Sequence, residues 1–213
     1  MRLRHIPEGK KILETHKKVI TKPEEIGEKW AALFDNGNPI HVELGAGKGR
    51  FTMEMAKRNP DVNFLACEAN TKVIYRWLKG MDEVTDPSNY YIVHSRGETL
   101  IQLFQPRTIQ CIYLNFSDPW PKPRHERRRL TSPEHLALYK RVLTDQGRLI
   151  VKTDNVDLFN YSIEVLKENN WNIVQMTEDL HESKERTDDV ATEYEMKFVA
   201  EGKKILRVVA SCS

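Results

Sequence analysis

A chain of 213 residues with 33 basic and 31 acidic side chains carries a net charge of +2, so the overall charge selects no partner and its local distribution has to be read instead. That length supports a core without disulfides, and three cysteines in no familiar spacing (Cys67, Cys111, Cys212) speak against a disulfide frame or a cysteine metal site. The histidines are scattered, so no metal is expected. No apolar run is long enough for a bilayer and MRLRHIPEGKK has no signal core, so a soluble, cytoplasmic protein is expected.

Residues 1–38 read as a basic arm (Arg2, Arg4, Lys10, Lys11, Lys17, Lys18) followed by PEEIGEKWAALF, where Ile26, Trp30 and Leu33 have helical spacing. Residues 39–213 read as one domain. PIHVEL is a short apolar strand stopped by glycines, GRFTMEMAKRNP a helix ended near Pro60, VNFLACE a second strand and NTKVIYRWLKGMDEV a helix. NYYIVHS, ETLIQLF and IQCIYLNF follow as strand, short helix and strand. SPEHLALYKRVL opens on a capping signal, Ser132 before Pro133. GRLIVKTD is a strand and VDLFNYSIEVLKEN a helix. The tail holds WNIVQM, a polar stretch from Thr177 to Thr192, and EYEMKFVAEGKKILRVVA, which reads as two strands around a glycine turn.

Alternating strands and helices, with the first five strands apolar throughout, predict an α/β fold. The expected form is a doubly wound, mostly parallel sheet covered on both faces, with an antiparallel strand pair near the C-terminus. Ligands of such sheets bind beyond the carboxyl ends of the strands. VELGAGKGRF lies at that end of the first strand, and Gly45, Gly47 and Gly49 let a ligand approach the backbone. Glu68 ends the next strand, where a carboxylate can hold a ribose hydroxyl pair.

Two ligands compete for this layout, beside a plain strand-to-helix turn. A nicotinamide dinucleotide requires G-x-G-x-x-G and a helix N-terminus facing its pyrophosphate. Here the spacing is G-x-G-x-G, and Glu43 stands two residues before the first glycine. That charge opposes pyrophosphate and suits the ammonium of S-adenosyl-L-methionine, which has no phosphate. The methyl donor is therefore the expected cofactor.

NFSDPWPKPRHERRRL follows the fourth strand and puts Asp118 on the same sheet edge as the glycine loop. Prolines 119, 121 and 123 stiffen it. KPRHERRR holds five Lys or Arg side chains against one Glu, a solvated face or a grip for a phosphate backbone. The basic arm is expected to be a mobile end or an extension of that surface.

ELGAGKGRF, NFSDPWPKPRHERRRL, KTDN (152–155) and TEYE (192–195) together resemble the bacterial tRNA (guanine-N7)-methyltransferases, in motif order and spacing, over nearly the whole chain. The resemblance implies a Rossmann-like class I methyltransferase fold that methylates N7 of the variable-loop guanine of tRNA. It implies cofactor contacts at Glu43, Gly45, Gly47, Gly49, Glu68, Arg96 and Asp118, with Asp118 also catalytic. Substrate contacts are implied at Lys122, Asp154, Thr192, Glu193, Tyr194 and Glu195, and RNA contacts at Arg124, His125, Glu126, Arg127, Arg128 and Arg129. A monomer or homodimer is expected. Arg96 departs from the family pattern, which places an acid or amide there for the adenine amino group, whereas Arg has no acceptor. A small-molecule methyltransferase, or an RNA-binding module without cofactor, would share the fold.

Overall fold

The computed structural model describes residues 7–27, 29–81, 85–183 and 189–212. The chain divides into two compact units, one up to Phe104 and one from Gln105 onward. The first contains α1 (Pro7–Thr15), β1 (Val19–Ile20), β2 (Ile40–Leu44), α2 (Arg50–Arg58), β3 (Asn63–Glu68), α3 (Thr71–Gly80), β4 (Tyr90–His94) and α4 (Gly97–Gln102). The second contains β5 (Ile109–Asn115), α5 (Pro133–Val142), β6 (Leu143–Thr153), α6 (Val156–Glu168), β7 (Asn172–Thr177), α7 (Glu193–Ala200) and β8 (Leu206–Ser211).

The strands are ordered β1-β4-β3-β2 in the first unit and β5-β6-β8-β7 in the second, and most of the pairings are parallel. Within the first unit β1, β4, β3 and β2 pair in parallel, with Val42 opposite Leu65 and Leu65 opposite Tyr91. Within the second, β5 and β6 are parallel, while β8 runs antiparallel to both β6 and β7. The sequence explains the difference. Val42, Leu44, Phe64, Leu65, Ala66, Ile92, Val93, Ile112 and Leu114 are all buried on consecutive or alternate positions, as strands covered on both faces require. In β7 exposed and half-buried residues alternate, the pattern of an edge strand with one wet face.

Helix starts follow local chemistry. Asn70 accepts the Lys72 amide at 3.0 Å to cap α3, and Asn155 accepts the Leu158 amide at 2.8 Å to cap α6. Ser132 stands at the N-cap of α5 as expected, but its hydroxyl meets His135 Nδ1 at 2.9 Å instead of a backbone amide. Cys67 and Cys111 are buried thiols, and burial pushes Cys111 up to about 12.

Three expectations need correction. PEEIGEKWAALF is not one helix but two 3-10 pieces, Pro23–Glu25 and Ala31–Phe34, because Gly27 takes a left-handed φ of +59° between them. The segment read as an arm carries α1 and β1; Arg2 and Arg4 lie outside the described residues. Lys18 anchors this segment: it is buried, pairs with Asp86 at 3.2 Å, donates to the Pro87 carbonyl and lies 4.0 Å over the Tyr90 ring. Burial, partly offset by Asp86, lowers its pKa.

Third, EYEMKFVAEGKKILRVVA is a helix followed by a strand, not a hairpin, and β8 has its antiparallel partners in β6 and in the WNIVQM strand. Thr192 Oγ1 accepts the Glu195 amide at 3.0 Å and Glu195 reaches back to the Thr192 amide at 3.3 Å, a capping box that starts α7. The distal part of NTKVIYRWLKGMDEV (residues 82–84) and residues 184–188 of the polar stretch lie outside the described residues.

Candidate active site

In the first unit the carboxyl ends of β2 and β3 build a backbone nest. Gly45 and Gly47 have φ of +82° and +58°, and a Cβ at either would meet no atom within 4 Å, so the loop is open where a ligand would come close. Glu68 is oriented by two amides: Gly47 N donates to its Oε2 at 3.0 Å and Asn70 N to its Oε1 at 2.8 Å. Its carboxylate is thus held at the mouth of the loop with acceptor capacity left over. Glu43 is 3 % exposed, and its Oε2 accepts the Thr52 hydroxyl at 2.6 Å, tying β2 to α2.

Gly49 has a different reason to be glycine. A Cβ there would sit 2.0 Å from the Trp77 ring, so this residue lets α2 and α3 pack and does not open the loop. Arg96 is exposed at the N-cap of α4, where its side chain makes no capping bond; Glu98 follows in the first turn.

In the second unit the segment after β5 is held in an unusual backbone path. Phe116 and Trp120 both have left-handed φ, 53° and 42°, and bracket Ser117, Asp118 and Pro119. Phe116 N donates to the Lys152 carbonyl at 2.8 Å, fixing the start of the segment to β6. Asp118 itself is exposed. Lys122 precedes a 3-10 turn, Pro123–Arg128, along which Arg124, Glu126, Arg127 and Arg128 are exposed and His125 is half-buried. Arg127 meets Glu134 at 3.3 Å, and Arg128 lies 4.9 Å over the Trp120 ring. Arg129 is half-buried and turned inward.

Asp154 does not cap α6, a role Asn155 fills; its Oδ2 lies 3.2 Å from Lys203 Nζ. Lys203 also covers the Phe198 ring at 4.1 Å, and Phe198 stands between Phe116 (6.0 Å) and Tyr194 (6.1 Å). Tyr194 is 65 % exposed on α7.

Glu195, in a segment expected to be a strand, is completely buried in the first turn of a helix. Lys152 Nζ, 1 % exposed, meets Glu195 Oε2 at 2.9 Å, Asp189 Oδ1 at 2.7 Å and the Val190 carbonyl at 2.9 Å, and His181 Nε2 lies 3.1 Å from Glu195 Oε1. Sequence reasoning missed this cluster, because Lys152, His181, Asp189 and Glu195 share no local spacing. The T-x-x-E signal at Thr192 would have located the helix that carries Glu195. Among the described residues no group of three or more His, Cys, Asp or Glu side chains is placed to hold a metal ion, and no helix is long and apolar enough to cross a membrane.

Comparison with known proteins gives the fold and the family. A family model described as "Putative methyltransferase" matches residues 37–208. Two solved structures, one titled an antibiotic-related methyltransferase and one a 16S rRNA methyltransferase KamB, each superpose with a TM-score of 0.63. They are 15 % and 13 % identical and cover 92 % and 87 % of this chain and 96 % and 93 % of their own. The fold is therefore the Rossmann-like class I methyltransferase fold. Closer in sequence are proteins named tRNA (guanine-N(7)-)-methyltransferase. That of Brevibacillus brevis is 42 % identical, covering 100 % of this chain and 99 % of its own. That of Geobacillus kaustophilus is 43 % identical, covering 99 % and 96 %. The chain belongs to the tRNA (guanine-N(7)-)-methyltransferase family.

Proposed function

We propose that this protein transfers a methyl group from S-adenosyl-L-methionine to N7 of a guanine in tRNA, the variable-loop guanine. The observation that carries this reading is the end-to-end match, at about 40 % identity, to enzymes bearing that name. The first unit suits the cofactor: the loop at Gly45 and Gly47 has room for a ligand against its backbone, and Glu68 offers oriented lone pairs to a ribose diol.

When bound, S-adenosyl-L-methionine supplies an electrophilic methyl group. Guanine N7 has an in-plane lone pair and no proton, so the chain needs no general base before transfer, and positioning carries most of the catalysis. Asp118, exposed in a stiff loop, is the carboxylate proposed to stabilise positive charge as it appears on the purine. Asp154, half-buried beside Lys203, is proposed to accept a hydrogen bond from the guanine edge, and Lys122 to meet a phosphate. Glu193 and Tyr194 present the outer face of the first turn of α7 to the substrate, while Thr192 and Glu195 hold that turn in place. Exposed Arg124, Arg127 and Arg128 suit the RNA backbone.

The test is to incubate the purified protein with isotopically labelled S-adenosyl-L-methionine and unmodified tRNA and to map the labelled base. Label on N7 of a single guanine is the expected result. Label on another atom, or on small molecules but not RNA, would overturn the reading.

A further inference from the structure

Arg129 belongs to the basic run but behaves unlike its neighbours. Its Nε lies 3.2 Å from the Pro119 carbonyl oxygen and 3.3 Å from that of Trp120, and its Nη2 lies 3.2 Å from the Trp120 carbonyl. The guanidinium carbon sits 4.1 Å from the centroid of Tyr161, on α6. The Arg129 amide closes the 3-10 turn on Glu126 at 2.9 Å, and its carbonyl accepts Ser132 N at 3.0 Å just before α5. Three donor contacts are thus committed to two consecutive carbonyls of the segment that carries Asp118, and one face of the guanidinium is covered by an aromatic ring.

That placement answers a backbone problem. Trp120 is a bulky residue with φ of 42°, a conformation that persists when the surroundings over-determine it. The Trp120 carbonyl receives two contacts from Arg129. Arg128, by contrast, is exposed and lies over the Trp120 ring, while exposed Arg127 meets Glu134 and exposed Arg124 meets His125.

We infer that Arg129 is a positioning residue, a strut between α6 and the Pro119–Trp120 carbonyls that fixes the loop carrying Asp118, and not a contact to RNA. The inference rests on the proposed methyl transfer for its kinetic consequence, but its structural consequence can be read without any substrate. A planar fork spanning two carbonyls and stacked on a ring cannot be replaced by an ammonium, whereas a phosphate contact largely can. The Arg129→Lys variant therefore separates the two roles.

The experiment compares wild type, Arg129→Lys, Arg129→Ala and Arg128→Ala in three readouts: single-turnover methylation of tRNA at saturating reactants, the salt dependence of tRNA binding, and tryptic cleavage after Arg124 in the RNA-free protein. Circular dichroism checks folding. Both Arg129 variants are expected to lose roughly 10- to 100-fold in rate. They should keep the wild-type salt slope and be cleaved after Arg124 several times faster than wild type. Arg128→Ala should instead lower the salt slope by about 0.7–0.9. Full activity in Arg129→Lys, or a slope reduced in it as in Arg128→Ala, would overturn the inference. If wild type itself methylated no tRNA, the proposed function would fail, and the cleavage rates would still decide: equal rates in wild type and Arg129→Lys refute the strut. Should Arg129→Ala fail to fold, Arg129→Lys and Tyr161→Leu, which removes the stacked ring, carry the comparison.

Discussion

Lys152 and Glu195 form an ion pair at 2.9 Å in which neither side chain is more than 1 % exposed. The pair joins the end of β6 to the first turn of α7, and Asp189 at 2.7 Å from the same ammonium draws in the segment before that helix. Lys152 lies in KTDN and Glu195 in TEYE, so two of the motifs that carry the family resemblance meet through a buried contact. Glu195 Oε2 takes both the Lys152 ammonium and the Thr192 amide, while Oε1 faces His181 at 3.1 Å, so the carboxylate supports the turn that carries the exposed residues Glu193 and Tyr194.

Lys152→Met should therefore be strongly destabilising, by about 3–5 kcal/mol, because it leaves two buried carboxylates without their countercharge. Urea unfolding measures the loss, and hydrogen exchange should show the amides of α7 becoming less protected. A loss below about 1 kcal/mol would mean that the cluster is solvated enough to do without the cation.

The parallel part of the sheet could be read in the sequence because Val42, Leu65, Ile92 and Ile112 stand in short apolar runs bounded by glycine or polar turns, a signal that is local. The tail misled for an equally local reason. EYEMKF alternates polar and apolar like a strand, while the competing signal, Thr192 with Glu195 three residues later, fixes a helix start and prevails. What was not legible depends on distant partners. Lys18 looked like part of a solvated arm, and it is buried by Asp86, Pro87 and Tyr90. Arg129 could not be told from Arg127 or Arg128 by composition, since the carbonyls and the ring that claim it are placed by the fold. Gly45, Gly47 and Gly49 were read as one device, and the neighbours of each residue separate them.

Gly49→Ala and Gly47→Ala should fail in different ways. Both force a methyl group onto a left-handed backbone, at about 1–2 kcal/mol. At Gly49 the added carbon also falls 2.0 Å from the Trp77 ring, so α2 and α3 must move apart and overpacking adds about 1–3 kcal/mol. At Gly47 the methyl enters open space. Gly49→Ala is thus expected to lower thermal stability clearly more than Gly47→Ala does, with partial recovery when Trp77 is shortened to Leu. Gly47→Ala should stay folded and weaken S-adenosyl-L-methionine in calorimetry. Equal stability losses at the two positions would contradict the separation.

Arg96 offers a gain-of-affinity test. It sits at the N-cap of α4 with an extended backbone (φ −78°, ψ 143°) and no side-chain capping bond. An Asp there could accept a backbone amide of the first turn and could also offer the acceptor that an adenine amino group needs. Arg96→Asp should raise stability by about 0.5–1 kcal/mol, seen in urea unfolding. It should also tighten S-adenosyl-L-methionine by about three- to tenfold in calorimetry, one net hydrogen bond. Improved stability without tighter binding would mean that the adenine amino group is met by another acceptor, with Glu98 the first to test.

Asp118 bears most directly on the chemistry. Its loop is fixed at one end by the Phe116 amide on the Lys152 carbonyl and at the other by Arg129 on the Pro119 and Trp120 carbonyls, while the carboxylate stays exposed. Guanine N7 has no proton to lose, so the carboxylate has no base to be, and its proposed contribution is a fixed negative charge near a purine that becomes positive. Asp118→Asn preserves shape and removes that charge. Single-turnover methylation should fall by about 10²–10³-fold, the size of effect typical when one preorganised electrostatic partner is lost. The dissociation constant for tRNA, measured in the same buffer, should move by no more than about twofold, because one loop carboxylate adds little to a binding energy dominated by phosphate contacts. A parallel loss of rate and RNA affinity would make Asp118 a binding residue and remove the electrostatic argument. An unchanged rate would leave positioning alone to account for the transfer.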